Sequence, residues 1–123
     1  MINKLKPIIR RSAFFAAGKS VRARLLQAYS YPKWIQLRSQ QWVYLELGSG
    51  ARKGTNGWTT VDLLGADISH DLRKGIPLPE ASVDRIYSSH VLEHIPYQQL
   101  LLFIEECFRV LKKGGELSVS VPN

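Results

Sequence analysis

The sequence predicts an α/β fold built on a mostly parallel sheet, preceded by a helical arm. Two observations carry this prediction. From residue 41 onward, short runs of apolar, β-branched and aromatic residues alternate with helical patterns. Glycines and carboxylates recur where these runs end, and parallel sheets bind ligands beyond the carboxyl ends of their strands. The chain of 123 residues has room for one such domain.

Residues 1–40 form a basic helical arm. They hold nine of the 17 lysines and arginines and none of the ten carboxylates, so the net charge of +7 arises here. Residues 41–123 carry the other eight cations against ten acids. The arm is predicted as helical pieces: one begins at Pro7, a second follows a break at Gly18, and Pro32 ends the second and begins a third.

Three roles for this arm stay open. It is an extension that packs on the domain, a contact with an anionic membrane surface or nucleic acid, or a targeting segment. The packing role expects these apolar side chains to cover the sheet: Val21, Leu25, Leu26, Trp34 and Ile35. Whether the protein forms a homo-oligomer is open as well.

The domain proper is predicted to span residues 41–123. Its strands are the apolar or alternating runs at residues 42–47, 58–63, 66–68, 83–89 and 116–121. Gly-Ser-Gly at positions 48–50 follows the first strand as a tight turn would.

The clearest helix is predicted over residues 98–112. One continuous apolar face combines six residues: Leu100, Phe103, Ile104, Cys107, Phe108 and Leu111. Glu105 and Glu106 are expected on the solvent side, and the glycines at 114 and 115 are expected to end the helix. Cys107, the only cysteine, is interpreted as a buried, inert thiol.

Carboxylates and glycines mark the ends of the first two strands. Glu46 precedes Gly48 and Gly50, and Asp62 lies near the end of the second strand. A glycine turn lets a ligand approach the backbone, and a carboxylate at the next strand end can accept from a ribose diol. Gly-x-Gly alone would fit a plain turn equally well, so the prediction depends on the ordered set.

The ordered set resembles the class I S-adenosylmethionine-dependent methyltransferases, in their small-molecule branch that contains Val-Leu-Glu-His. The resemblance spans residues 42–123, and the matching motifs lie at 45–50, 61–63, 71–72, 76–79, 82–94 and 106–122. It implies a Rossmann-like fold with S-adenosylmethionine as the cofactor.

The resemblance also implies a role for each matching residue. The glycines would admit the methionine part, Glu46 would hold its ammonium, and Asp62 would bind the ribose. Asp71 would accept from the adenine amine, with Leu72 against the ring. The complete cofactor-binding set is Glu46, Gly48, Ser49, Gly50, Asp62, Leu63, Asp71, Leu72, Ser89 and His90.

This sequence departs from the family pattern in two respects. Only eight residues separate Gly50 from Thr59, too few for the family's helix, and Arg52 stands at the third glycine position. The loop cations would then meet the cofactor carboxylate in place of helix amides. The sheet is also shortened to about five strands where the family has seven, which leaves one edge and one pocket wall unaccounted for.

His90, Glu93 and His94 are spaced i, i+3 and i+4, a spacing that could serve acid–base chemistry or a metal ion. Within the family, Val-Leu-Glu-His mostly shapes the loop after the fourth strand. We therefore expect no metal site, and these three residues are weak catalytic candidates only.

The resemblance implies methyl transfer from S-adenosylmethionine to a small-molecule, sugar or lipid-linked acceptor. The sequence after the fourth strand has no Asn-Pro-Pro-Tyr, the mark of amide- and base-methylating branches. The alternative is a non-catalytic module of the same fold that binds a partner or an anionic surface. A single cysteine and the lack of an 18-residue apolar run favour a cytoplasmic location.

Overall fold

The computed structural model describes residues 21–121. Two α-helices, five strands and two short 3₁₀ turns lie in this range. In chain order they are α1 (Val21–Arg38), β1 (Tyr44–Leu47), β2 (Trp58–Asp62), β3 (Ile68–Ser69), a 3₁₀ turn (Leu72–Lys74), β4 (Val83–Ser89), a second 3₁₀ turn (Leu92–His94), α2 (Tyr97–Val110) and β5 (Leu111–Ser120).

The strands form one parallel sheet in the order β3-β2-β1-β4-β5, which confirms the predicted fold class. From β1 the chain moves outward through β2 and β3, then crosses back to place β4 on the other side of β1. The carboxyl ends of β1 and β4 therefore meet where the strand order reverses. Open α/β sheets bind their ligands at this point.

The connection between β1 and β2, residues 48–57, is a loop without a helix, as its length predicted. Asp67 holds this loop against β2, because its carboxylate accepts from the backbone N–H groups of Gly54 (2.9 Å) and Thr60 (3.1 Å). Burial opposes ionisation of Asp67, yet these hydrogen bonds and the Lys53 charge hold its pKa below the ordinary value. The loop is thus held in place by an ionised carboxylate.

The arm forms one continuous helix over its described part, so the predicted interruption at Pro32 is wrong. A proline inside a helix removes one hydrogen bond, and tertiary packing can outweigh that loss. Buried residues on both sides of Pro32, Ser30 and Trp34, supply this packing. The predicted piece that begins at Pro7 and the break at Gly18 lie outside the described residues.

The side of α1 that packs on the domain also differs from the predicted one. Of the five residues expected to cover the sheet, only Trp34 is buried, and Leu26 is half-buried. Val21, Leu25 and Ile35 are exposed. The buried residues of the helix are Ala23, Ser30, Trp34 and Leu37.

The buried side of α1 covers the outer edge of β3. Ser69 of this edge strand donates its backbone N–H to Ser30 Oγ at 3.0 Å. Trp34 meets the His70 ring edge-on, with 5.3 Å between ring centroids. A buried edge N–H needs an acceptor, so Ser30 performs a task that an apolar residue could not.

The helix α2 ends at Val110, two residues earlier than predicted and not at Gly114. Leu111 has extended geometry and pairs with Val83, so the chain enters β5 directly. Phe108 is exposed, so its predicted place on the buried face is wrong. Pairing with β4 therefore overrides the helical periodicity at this end.

Glu106 was expected on the solvent side, but it joins α2 to the loop before β4. Its carboxylate accepts from Ile76 N (2.7 Å) and from Arg109 Nε (2.6 Å). Arg109 in turn donates to the backbone oxygens of Ile76 (2.8 Å) and Leu78 (3.0 Å). The bond from Arg109, helped by the bond from Ile76 and opposed by partial burial, holds the pKa of Glu106 below its ordinary 4.5.

Replacing Glu106 by glutamine should therefore destabilise the protein in a pH-dependent way. A carboxylate with a lowered pKa stabilises the fold above its ordinary pKa and loses this contribution as pH falls through the lowered value. We expect Glu106→Gln to melt below wild type at neutral pH, and the difference to close as pH falls below about 4.5. Thermal unfolding across pH measures this. The exposed neighbour serves as control, because Glu105→Gln should show no such convergence.

One hydrophobic core joins both helices and the sheet. Cys107 is buried in it, as predicted, and burial raises the pKa of its thiol to about 12. The thiol is therefore neutral and unreactive at physiological pH. Neither helix within residues 21–121 has the length and apolar character needed to cross a membrane.

Candidate functional site

The turn after β1 is closed on one side and open on the other. Gly48 and Gly50 both have positive φ (75° and 71°), a conformation that other residues adopt only with strain. A Cβ added at Gly48 would collide with Val91, which follows β4, whereas one at Gly50 would have no atom within 4 Å. The predicted close approach of a ligand is therefore sterically feasible at Gly50.

Asp62 joins the end of β2 to this turn. Its Oδ2 accepts from Gly50 N at 2.6 Å and its Oδ1 accepts from Leu63 N at 2.7 Å. Both bonds draw the carboxylate to the carboxyl edge of the sheet, beside the open side of the turn. Asp62, which was predicted to bind the ribose, is thus in direct contact with the glycine turn.

Glu46 pairs with Arg52 from the loop that follows it. The Glu46 side chain is largely buried, and Arg52 is mostly exposed. A carboxylate and a guanidinium therefore lie side by side next to the turn, with the guanidinium on the solvent side. Such a pair offers both a negative and a positive group to one ligand.

A cavity of about 400 Å³ opens beside this ion pair. Glu46 pairs with Tyr87 of β4 in the sheet register, so the two side chains line the same wall. Trp58 adds a second aromatic wall, and its ring lies 5.4 Å from that of Tyr44. The complete lining is Glu46, Arg52, Lys53, Gly54, Thr55, Trp58 and Tyr87.

Sequence reasoning missed Tyr87 as a lining residue. The only signal for Tyr87 was the alternation of β4, which places it on the same face as its partner in β1. Lys53 was expected among the loop cations near the cofactor carboxylate, and it lines this cavity. Its Nζ donates to Ala66 O at 2.8 Å.

Asp71 lies beyond β3 and is bound within its own segment. It caps the first 3₁₀ turn, accepting from Arg73 N at 3.0 Å, and it also accepts from the guanidinium of the same residue at 2.8 and 3.0 Å. Burial opposes its ionisation, but the bonds and charge of Arg73 lower its pKa. Leu72 faces a separate, smaller cavity of about 70 Å³ shared with Ile95 and Phe103.

Ser89 and His90 lie at the carboxyl end of β4, next to β1. His90 has a positive φ of 56°, and its N–H donates to Ser120 O at the end of β5 (2.7 Å). Only Glu93 and His94 lie in the following 3₁₀ turn, so the three weak catalytic candidates do not share a regular helix.

Glu93 nevertheless lies between both histidines. Its Oε1 is 3.9 Å from His90 Nδ1 and 3.6 Å from His94 Nε2. Across residues 21–121, no three His, Cys, Asp or Glu side chains are placed to hold a metal ion together.

Parts of the chain are similar to known proteins. Residues 47–119 match a family described as "Methyltransferase domain". A probable S-adenosylmethionine-dependent methyltransferase of Mycolicibacterium smegmatis is 47% identical over 57 residues, which is 46% of this chain. Two probable S-adenosylmethionine-dependent methyltransferases, one from each of two Mycobacterium tuberculosis strains, are 48% identical over 48 residues, or 39% of this chain.

The matched segments cover 21% of the Mycolicibacterium relative and 17% of each Mycobacterium relative. The match thus spans about a fifth of the length of these curated relatives.

Proposed function

We propose that this chain, which belongs to the family of methyltransferase domains, binds S-adenosylmethionine. We propose further that it transfers the methyl group to a small-molecule, sugar or lipid-linked acceptor. The observation that carries the proposal is the 2.6 Å bond from Gly50 N to Asp62. This bond supports the proposal because it joins the carboxylate proposed to bind the ribose to an open glycine turn, beside the reversal point of the sheet.

The donors and acceptors at this location fit the cofactor. Its methionine end is an α-amino acid with one ammonium and one carboxylate. Glu46 would take the ammonium and Arg52 the carboxylate, so the ligand would replace their mutual ion pair by two new ones. The Asp62 carboxylate would accept from the ribose hydroxyls beside Gly50.

Binding of the adenine end would require a rearrangement, because Asp71 and Leu72 are buried. Asp71 and Leu72 remain the proposed adenine contacts, but Asp71 already accepts from Arg73. The adenine amine would have to share or displace part of this bidentate contact. Binding there would therefore be weaker than at an uncommitted carboxylate.

The cofactor, when bound, supplies a methyl group on a sulfonium that needs no acid to activate it. This chain's residues would then act by position: the turn, Glu46 and Asp62 fix the cofactor so that an acceptor can approach in line. His90, Glu93 and His94, at the end of β4, remain candidates for removing a proton from the acceptor.

The cavity beside Glu46 would be shared by the methionine end of the cofactor and a small acceptor or acceptor headgroup. Its volume of about 400 Å³ falls within the range of small-molecule sites, about 300–1,000 Å³. Trp58 and Tyr87 offer aromatic surface for a ring, and Lys53 offers a charge for an anionic group.

The second candidate function is a non-catalytic binding module. Two ion pairs favour it, because Arg52 already pairs with Glu46 and Arg73 already pairs with Asp71. Calorimetric titration of the full chain with S-adenosylhomocysteine tests both candidates. The methyltransferase proposal expects saturable binding that Asp62→Ala weakens, and no binding at high micromolar ligand would overturn it. Binding without turnover on any acceptor pool favours the module.

Substitutions at Asp71 test the adenine contact. Asp71→Asn keeps an oxygen that can accept from the amine and cap the 3₁₀ turn, while Asp71→Ala loses both. We expect alanine to weaken S-adenosylhomocysteine binding by about 1.5–3 kcal/mol and asparagine by less. Equal losses, or a reversed order, would refute the adenine assignment. Melting temperatures of both variants separate lost binding from lost stability.

A further inference from the structure

The outward side of α1 is largely apolar, with Gln36 as an exposed polar residue near its end. Val21, Leu25, Tyr29 and Ile35 are 71%, 66%, 78% and 52% exposed. At 3.6 residues per turn these positions share one side of the helix, with the exposed Ala28 and Pro32 between them. The opposite side is anchored in the core by Trp34 and Leu37, so the apolar stripe cannot turn inward.

Positive charge flanks this stripe. Arg22 and Arg24 are exposed next to it, and no carboxylate occurs in residues 1–40. The other two cations of α1 reach toward the domain, because Lys33 Nζ donates to Asp67 O (2.6 Å) and Arg38 donates to Pro77 O (3.0 Å). The sequence before the helix adds five more cations and no acid.

We propose that α1 docks on an anionic lipid surface, with Val21, Leu25, Tyr29 and Ile35 at the headgroup–acyl boundary and Arg22 and Arg24 against the phosphates. Exposed apolar stripes bordered only by cations suit such surfaces, since both area and charge contribute to binding. The helix is already folded against β3, so docking requires no unfolding of the domain.

Two other occupants fit the charge and the surface less well. A second copy placed on the same face would bring Arg22 and Arg24 of both chains together without a carboxylate to pair them. A nucleic acid would use the cations but leave four large apolar side chains in water. An anionic lipid surface would cover the apolar side chains and pair with the two arginines at the same time.

Vesicle co-sedimentation of the full chain tests the proposal. We expect binding to vesicles of phosphatidylglycerol with phosphatidylcholine, and much weaker binding to phosphatidylcholine alone. Leu25→Gln with Ile35→Gln should lower the partition coefficient about tenfold. Arg22→Gln and Arg24→Gln should each lower it about fivefold at low salt. Because all four residues are exposed, the melting temperature should not change.

Val119→Gln is the matched control. Val119 is an exposed apolar residue on β5, at the sheet edge opposite the one that α1 covers, so the substitution should leave vesicle binding unchanged. The proposal is overturned if the wild-type chain does not bind anionic vesicles, or if the Leu25 and Ile35 substitutions leave vesicle binding unchanged. It is also overturned if these substitutions dissociate a dimer, or if the chain binds duplex DNA or RNA in place of vesicles.

Discussion

Replacing Trp34 by alanine should lower the free energy of unfolding by about 3–5 kcal/mol, the cost typical of removing a large aromatic side chain from a core. Trp34 is 1% exposed, belongs to the same core cluster as the sheet and contacts the ring of His70. Domains of this size have a total stability of about 5–15 kcal/mol, so the loss would be a large fraction of it. Urea unfolding followed by circular dichroism measures the change.

Tyr29→Ala provides the matched control on the same helix. Tyr29 is 78% exposed, so its loss should change stability by no more than about 0.5 kcal/mol. Trp34→Phe, which leaves a smaller cavity, should fall between the two and keeps the comparison measurable if the alanine variant unfolds. A loss below about 1 kcal/mol for Trp34→Ala would mean that α1 is not an integral part of the fold.

The positions of the central strands could be predicted because two independent patterns agreed. Apolar runs located β1, β2 and β4 to within about two residues, and the motif at each strand end fixed the direction of the chain. In a parallel sheet the carboxyl ends meet at one edge, so Asp62 and the glycine turn were expected around one pocket; the direct bond between them is a finding of the structure.

The orientation of α1 could not be predicted, since the helix is apolar on two sides. Periodicity places Val21, Leu25 and Tyr29 on one face, as expected, but it does not tell which face packs. The choice depends on Ser30, whose hydroxyl accepts from the edge strand, and on Trp34, which fills the space beside His70. Both contacts are long-range and leave no local pattern.

The ion pairs of the site could not be predicted from the sequence either. Arg52 was expected as a loop cation near the cofactor, but its bond to Glu46, like that of Arg73 to Asp71, depends on loop conformation. The same holds for Glu106. Its position in the helix predicted exposure to solvent, but its carboxylate accepts from the loop before β4. Polar contacts between segments distant in sequence carry no periodic signature.

Replacing Asp62 by alanine should weaken S-adenosylhomocysteine binding by about 1.5–3 kcal/mol, which is about 10- to 150-fold. Two effects add in the same direction. The ribose hydroxyls lose their charged acceptor, and Gly50 N loses the bond that holds the turn open beside the carboxylate. Asp62→Asn should lose less, because its amide oxygen still accepts from Gly50 N. Isothermal titration of the three proteins measures the order.

Asp84→Ala is the control for charge and stability. Asp84 also accepts from a backbone N–H, that of Val43 at 2.8 Å, and from Lys112 Nζ at 3.0 Å, but it lies at the amino end of β4. It should lose stability while keeping its affinity, since the cofactor edge is at the other end of the strand. Equal weakening by Asp84→Ala and Asp62→Ala would attribute the effect to a loosened fold. An unchanged affinity of Asp62→Ala would place the ribose elsewhere, because no other carboxylate of the described chain bonds to the glycine turn.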